Sequence, residues 1–290
     1  MYGMKKLDGR YADLGGVRLH YVEAGEGPLV VLLHGFPQFH HMWRFQIPVL
    51  VDAGFRVVAP DMRGYNLSDK PDGIEHYRIE TLARDVEQLI AERGEERATV
   101  IGHDWGAIVA WFVAMQHAKR VEKLAILNVP HPARFLYDGL SMPKQILKSF
   151  YVFFFQIPRL PEKLLSANDF AVLRAGFRRD AARHGAFSEE DVERYVEALA
   201  RPGALTAAIN YYRALFRGPS KTREKLRKIE APTLVIWGEK DAFLSRELAE
   251  PGPLWVPNLR VERLPEASHW VAEDRPEEVN ALLLSFLNGP

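Results

Sequence analysis

Short runs of apolar residues alternate with amphipathic segments along the first half of the chain. These runs predict strands, and the all-aliphatic run Leu29–Leu33 is typical of a strand buried on both faces. Between them apolar residues recur at helical spacing, as from Ile79 to Ile90. This alternation predicts an α/β fold with a mostly parallel sheet and helices on both faces. The predicted strands are Val17–Ala24, Leu29–Leu33, Arg56–Ala59, Ala98–Ile101 and Lys123–Leu127.

The alternation stops near Pro130. From Ala133 to Arg217 the sequence has helical patterns, many aromatic residues and many arginines, with no aliphatic strand run. Strand patterns resume with Thr233–Trp237 and Leu259–Leu264. We therefore predict a core domain formed by residues 1–132 and 218–290, with a helical cap subdomain inserted at 133–217. A final amphipathic helix is expected, with Pro276 in its first turn and Asp274 as its cap.

The amino-acid composition excludes or disfavours several classes of function. Of 290 residues, 38 are Lys or Arg and 38 are Asp or Glu, so the chain has no net formal charge. This balance argues against nucleic-acid and acidic-membrane partners, and we interpret the basic segment Lys221–Lys228 as a solvated helix face. With no cysteine, disulfides and thiolate chemistry are excluded. The N-terminus has no apolar secretory signal, so we expect a cytoplasmic protein. We further expect a monomer or homodimer.

The strongest catalytic signal is Gly102-His103-Asp104-Trp105-Gly106, placed between a predicted strand and a predicted helix. A strand that turns directly into a helix forces its middle residue into a strained conformation, and small flanking residues relieve the crowding. The pattern resembles a nucleophile elbow with Asp104 where serine usually stands. The alternative is that Asp104 only caps the helix.

Two further strand ends favour the nucleophile interpretation. Asp241 follows the strand Thr233–Trp237, and His269 follows the last predicted strand. The chain order is therefore nucleophile, acid, base. The turn after Leu29–Leu33 is expected to place the backbone N–H of Phe36 beside that of Trp105, forming an oxyanion hole.

In combination these motifs resemble the epoxide hydrolases of the α/β-hydrolase superfamily. The matching segments are HGFPQFHHMW, FRVVAPDMRGYNLSDKP, VIGHDWGAIVAW, NVPHP, LVIWGEKD and ASHWVAEDRPEEVN. The resemblance covers nearly the whole chain and is weakest in the insertion. It implies an α/β-hydrolase fold with an inserted helical cap, and an Asp104–His269–Asp241 triad.

The resemblance also implies two cap tyrosines that face the nucleophile. Tyr212 matches through Asn210-Tyr211-Tyr212-Arg213, and Tyr151 matches through the segment YVFFFQIP. Tyr211, Tyr195 and Tyr137 are the alternatives. The aromatic cap indicates an apolar pocket, for which we expect Trp105, Phe36 and Phe154 to bind substrate.

A carboxylate at the elbow selects the chemistry. Serine attacking a saturated carbon would leave an ether, whereas Asp104 would leave an ester that water can cleave. Tyrosines can protonate the alkoxide released from an opened epoxide, and His269 can then activate water. We therefore predict conversion of a small hydrophobic epoxide to a vicinal diol, with water as co-substrate and no metal or organic cofactor.

Other functions remain open at the level of the sequence. A haloalkane dehalogenase would use the same triad, and Trp105 matches its first halide donor. Its second donor, a Trp or Asn, is missing, because Phe36 stands where an Asn would serve. A serine esterase is disfavoured by the lack of Gly-x-Ser-x-Gly. A non-catalytic ligand-binding homologue would not need the triad.

Overall fold

The computed structural model describes residues 9–217 and 222–289. Within them a sheet is formed by β1 (Gly9–Asp13), β2 (Arg18–Ala24), β3 (Leu29–Leu33), β4 (Arg56–Pro60), β5 (Ala98–His103), β6 (Val121–Leu127), β7 (Thr233–Gly238) and β8 (Leu259–Leu264). Their spatial order is β1-β2-β4-β3-β5-β6-β7-β8. β1 and β2 are antiparallel to each other, β2 is antiparallel to β4, and all other pairs are parallel. The predicted strands are confirmed, each within two residues at either end.

Both faces of the sheet are covered, as the polar-free run of β3 predicted. All of its residues are buried. Val31 and Leu33 belong to the core on one face, with α2 (Ile79–Glu92) and α3 (Trp105–Gln116). Val30 and Leu32 belong to the core on the other face, with α1 (Gln46–Asp52) and the C-terminal helix. Successive strand residues point to opposite faces, so a strand covered on both sides needs apolar residues at every position.

The stretch between β6 and β7 is helical. No strand occurs in its described residues, 128–217 and 222–232. Its helices are α4 (Pro132–Tyr137), α5 (Pro143–Lys148), α6 (Phe150–Phe154), α7 (Leu160–Asp180), α8 (Glu189–Ala200) and α9 (Ala204–Phe216), and α10 (Thr222–Lys225) precedes β7. The proposed boundary at residue 218 lies outside the described residues. Among those described, no helix is long and apolar enough to cross a bilayer.

Lys221, the first residue of the basic segment Lys221–Lys228, also lies outside the described residues. Two other lysines of the segment have acidic partners. Lys225 pairs with Glu80 of α2, and Lys228 pairs with Glu230. In the described part of the segment, nearby acidic residues therefore balance some of the positive charge.

The predicted role of Asp274 is wrong. It ends α11 (Val271–Asp274), and Arg275 separates it from α12 (Pro276–Asn288), which has no side-chain cap. Its carboxylate accepts hydrogen bonds from the backbone N–H of Ser268 at 2.7 Å and of Arg183 at 2.9 Å. Asp274 thus ties the segment before His269 to the helical insertion, a long-range contact that local spacing could not reveal.

Candidate active site

Asp104 lies in the sharp turn between β5 and α3, at the carboxyl edge of the sheet. Its φ of 50° and ψ of −124° fall outside the regions that non-glycine residues usually adopt. Its side chain makes no N-capping hydrogen bond, so it does not act as the helix cap. Asp104 instead lines a mostly apolar cavity. Strain of this kind is found where a structure holds a side chain for function.

Glycines permit this tight geometry. A Cβ atom on Gly102 would lie 2.5 Å from the carbonyl oxygen of Gly106. One on Gly106 would lie 2.2 Å from the carbonyl oxygen of Leu33, and one on Gly35 would lie 2.3 Å from Oδ1 of Asp104. These distances are below any real contact, so the elbow and the β3 turn approach each other only without side chains.

Two backbone N–H groups lie beside the Asp104 carboxylate. Phe36 donates to Oδ1 at 2.7 Å, and the N–H of Trp105 is close enough to help lower the pKa of the carboxylate. Burial alone would raise the pKa of Asp104, but hydrogen bonding and charge from His269, with the Trp105 N–H, outweigh it and lower the pKa. Asp104 is therefore ionised at neutral pH, and both N–H groups predicted to form the oxyanion hole lie beside its carboxylate.

His269 lies between two carboxylates. Its Nδ1 is 2.8 Å from Oδ2 of Asp241, and its Nε2 is 3.5 Å from Oδ2 of Asp104. Burial would lower its pKa, but Asp241 and Asp104 together raise the pKa to about 10. All three side chains are at least 85% buried. The structure thus brings the predicted triad together, with a protonated imidazole in the resting state.

Two neighbours of the triad were not singled out from the sequence. Asn128, directly after β6, donates from Nδ2 to Oδ2 of Asp241 at 2.8 Å. Nε2 of His103 lies 2.8 Å from the carbonyl oxygen of His269. Burial and the nearby His269 lower the pKa of His103 to about 4, so its ring is neutral and donates this hydrogen bond. The sequence did hold a signal for each of them, because Asn128 follows the end of a predicted strand and His103 lies inside the elbow motif.

The two predicted tyrosines also reach the triad. Tyr151 on α6 and Tyr212 on α9 line the same cavity as Asp104 and His269. Their rings meet edge-on, with centroids 5.8 Å apart. Burial and the Asp104 charge raise the pKa of both hydroxyls, so both stay protonated and act as donors.

The alternative tyrosines lie elsewhere. The hydroxyl of Tyr211 donates to the carbonyl oxygen of Arg63 at 2.7 Å, and that of Tyr195 accepts from Arg44 at 3.2 Å. Tyr137 is 52% exposed. Among the residues that line the cavity, none of these three occurs.

The cavity has a volume of about 300 Å³ and is mostly apolar. Phe36 and Phe154 line it, as expected for substrate contacts. The Trp105 indole is 2% exposed, packs against the ring of Tyr212 at 4.9 Å, and is absent from the described lining. The remaining lining residues are Pro37, Tyr151, Phe155, Leu165, Val172, Leu173, Gly176, Phe177, Arg179, Asp180, Tyr212, Phe243 and Trp270, together with Asp104 and His269.

Two other features lie away from this cavity. An open cleft of about 610 Å³, lined by Arg10, Glu23 and Arg56, lies at the opposite edge of the sheet. His20, His40 and Asp61 are close enough together to hold a metal ion. However, each histidine Nδ1 already lies 2.7 Å from an Asp61 oxygen, so hydrogen bonds account for this cluster. Neither feature holds a predicted site residue.

Comparisons with known proteins give the family. Residues 28–276 match the family described as alpha/beta hydrolase fold. The chain is 46% identical to the AB hydrolase superfamily protein YfhM of Bacillus subtilis, covering 96% of this chain and 97% of that protein. It is 42% identical to human epoxide hydrolase 4, covering 94% and 76%. A crystal structure of Bacillus megaterium epoxide hydrolase with an inhibitor superposes with a TM-score of 0.87 at 34% identity, covering 97% and 100%. The chain belongs to the epoxide hydrolase family of the α/β-hydrolase superfamily.

Proposed function

We propose that the protein hydrolyses a small hydrophobic epoxide to a vicinal diol through a covalent ester on Asp104. One observation carries this proposal: two protonated tyrosines and an ionised aspartate face one apolar cavity. The relatives named epoxide hydrolases support it. Residues 133–217, which supply both tyrosines, form the proposed cap subdomain.

In the first step Asp104 attacks a ring carbon. The hydrogen bond from Phe36 N–H fixes Oδ1, which leaves Oδ2 as the attacking oxygen. The C–O bond of the ring breaks, and the leaving oxygen takes a proton from Tyr151 or Tyr212. Such general acid help typically accelerates a reaction by about 10²–10⁴-fold.

Ester formation then changes His269 from an acid into a base. The ester has no negative charge, so one of the two carboxylates that raise the His269 pKa is lost. The imidazolium can now return a proton to the tyrosinate, which leaves a neutral imidazole. This sequence couples formation of the base to formation of the ester.

In the second step neutral His269, held by Asp241, takes a proton from water. The water oxygen attacks Cγ of Asp104, and the N–H groups of Phe36 and Trp105 hold the oxyanion. The ester C–O bond breaks, and the departing alkoxide takes the proton of the newly formed Asp104 carboxyl group. The diol leaves, and ionised Asp104 and protonated His269 are restored. The net reaction consumes one epoxide and one water, and it uses no cofactor.

The dehalogenase alternative fits the cavity less well. A halide leaving group needs free N–H donors, and the Trp105 indole N–H would be the first. That indole packs edge-on against the ring of Tyr212, with ring centroids 4.9 Å apart, and is absent from the described cavity lining. Phe36, where a second donor would stand, presents only a hydrocarbon ring.

A paired assay tests the proposal. The purified protein is incubated with a terminal aryl epoxide and, separately, with a haloalkane of similar size, and diol and halide are measured. We expect diol from the epoxide and no halide. Halide release without diol would overturn the proposal, and the Asp104→Ala variant controls for hydrolysis in solution.

A further inference from the structure

We propose that Asn128 is a positioning residue for the hydrolytic step, because its side-chain amide holds the acid Asp241 and the segment carrying His269 in register. This inference rests on the proposed function. Asn128 lies next to the triad but does not line the cavity, so it would act through Asp241 and His269 and not on the substrate.

The backbone directs this side chain toward the triad. Asn128 follows β6, and its N–H donates to the carbonyl oxygen of Ile236 at 3.0 Å, which extends the pairing with β7. Its φ of 51° is left-handed, a conformation that Asn tolerates better than most residues. The chain therefore turns away from the sheet while the side chain crosses to the end of β7.

The amide orientation is fixed by its acceptor oxygen. Oδ1 of Asn128 accepts from the N–H of Gly238 at 2.8 Å. Nδ2 must then point the other way, toward Oδ2 of Asp241 at 2.8 Å and the carbonyl oxygen of Ser268 at 3.2 Å. Ser268 immediately precedes His269, so one amide connects the strand end, the acid and the base segment.

The oxygen that Asn128 holds is the one that orients the base. Oδ2 of Asp241 accepts hydrogen bonds both from Nδ2 of Asn128 and from Nδ1 of His269. The other oxygen, Oδ1, accepts from the N–H groups of Phe243 and Leu244 at 2.7 and 2.8 Å. Without Asn128, Oδ2 would keep only the imidazole, and the carboxylate would be held by the two backbone bonds to Oδ1 alone.

An amide also suits the charge of this site. The hydrogen bond from Asn128 helps to lower the pKa of Asp241, but the amide itself does not titrate. The amide therefore stabilises the negative charge of Asp241, which His269 contacts, without adding a second charge to the site. Asn128 is fully buried, so no water replaces it readily.

The test separates the two chemical steps. In Asn128→Leu the shape is nearly kept and every side-chain hydrogen bond is lost. Enzyme in excess over a terminal aryl epoxide is quenched at intervals, and mass spectrometry of the peptide containing Asp104 measures the ester. We expect ester formation within a few-fold of the unsubstituted protein and ester hydrolysis slowed roughly 10- to 100-fold, the loss typical of one hydrogen bond to a charged group.

Asn66 offers a matched control. It is also buried and left-handed, with φ of 43°, and its Nδ2 donates at 2.8 Å to a buried carboxylate, Asp61, that does not line the cavity. Asn66→Leu should lower the melting temperature without accumulating ester. Equal slowing of both steps in Asn128→Leu, no slowing, or ester accumulation in Asn66→Leu would overturn the inference.

Failure of the proposed function and failure of the inference about Asn128 give different results. If ¹⁸O from labelled water enters the diol on the first turnover of the unsubstituted protein, no Asp104 ester is formed and the proposed function fails. If its ester is seen but Asn128→Leu does not prolong it, only the inference fails. Should Asn128→Leu not fold, the smaller Asn128→Ser variant is measured in its place, and failure of both to fold would make Asn128 a folding residue and contradict the inference.

Discussion

The backbone N–H of Phe36 donates a 2.7 Å hydrogen bond to Oδ1 of Asp104 in the resting protein. The candidate oxyanion hole is thus already filled by an oxygen of the nucleophile itself. The same donor would serve the carboxylate before attack and the oxyanion during ester hydrolysis. The two Asp104 oxygens therefore differ in role: Oδ1 is held by the backbone, and Oδ2, which lies 3.5 Å from Nε2 of His269, is the attacking oxygen of the proposed mechanism.

Replacing His269 should stop the reaction at the ester. His269→Gln removes the base, while Asp104 keeps its backbone donors and can still attack. One equivalent of epoxide should be consumed, and the mass of the protein should rise by the mass of the epoxide. Asp104→Ala is the control and should gain no mass. An unmodified His269→Gln protein after incubation would argue against a covalent step.

Removing either cavity tyrosine hydroxyl should slow ring opening. Tyr151→Phe and Tyr212→Phe keep the ring packing but lose one donor each, so we expect ester formation to fall roughly 10²-fold in each. The matched control is Tyr211→Phe, whose hydroxyl contacts Arg63 outside the cavity. It should keep its kinetics and lose about 1 kcal/mol of stability. Unchanged single-turnover rates in both cavity variants would refute the proposed acid role.

Glu273 should make stability depend on pH. It is fully buried, accepts a 2.5 Å hydrogen bond from Gln38, and its Oε1 lies 3.8 Å from Nη1 of Arg44. Burial raises its pKa from 4.5 to about 7, so the folded protein binds more protons than the unfolded chain between these values. Its contribution to stability is therefore lost as pH rises through this window.

Glu273→Gln should accordingly gain stability relative to the unsubstituted protein as pH rises from about 5 to 8. The gain has an upper bound of about 3 kcal/mol, at about 1.4 kcal/mol per pKa unit. Thermal unfolding at each pH measures it. The exposed Glu266, paired with Lys240, is the control, and Glu266→Gln should show no such gain. A difference that shrinks with rising pH would contradict the prediction.

Two glycine-to-alanine changes should have opposite effects on stability. In Gly106→Ala the new methyl group would meet the backbone of Leu33, which cannot move aside cheaply, so we expect a loss of about 3 kcal/mol. In Gly176→Ala, within α7, the nearest atom is Oδ2 of Asp180 at 3.8 Å. That helix position has room, and we expect a gain of about 0.5–1 kcal/mol. Denaturant unfolding of both variants checks the contrast.

Much of the fold could be predicted because it depends on local patterns. The run Leu29–Leu33 needs apolar residues at every position, and the glycines around Asp104 are required by the elbow itself. Asp241 and His269 were found because parallel strands end at one edge of the sheet, so strand ends share a location.

What the sequence did not reveal depends on contacts between distant segments. Asn128 gains its role from Gly238, Asp241 and Ser268, all more than 100 residues away. Asp274 looked like a local helix cap but bonds to Ser268 and the insertion. Trp105 was expected to contact substrate; its indole packs edge-on against Tyr212 and is absent from the described cavity lining, so this contact stays a prediction.

A single turnover in ¹⁸O-labelled water tests the central claim most directly. Enzyme is held in excess over epoxide, so each Asp104 reacts once at most. Our account predicts a first diol without ¹⁸O, because its new oxygen comes from Asp104, and one ¹⁸O atom in the peptide containing Asp104. Label in the diol on the first turnover, with an unlabelled peptide, would mean that water attacks the epoxide directly and would contradict the account.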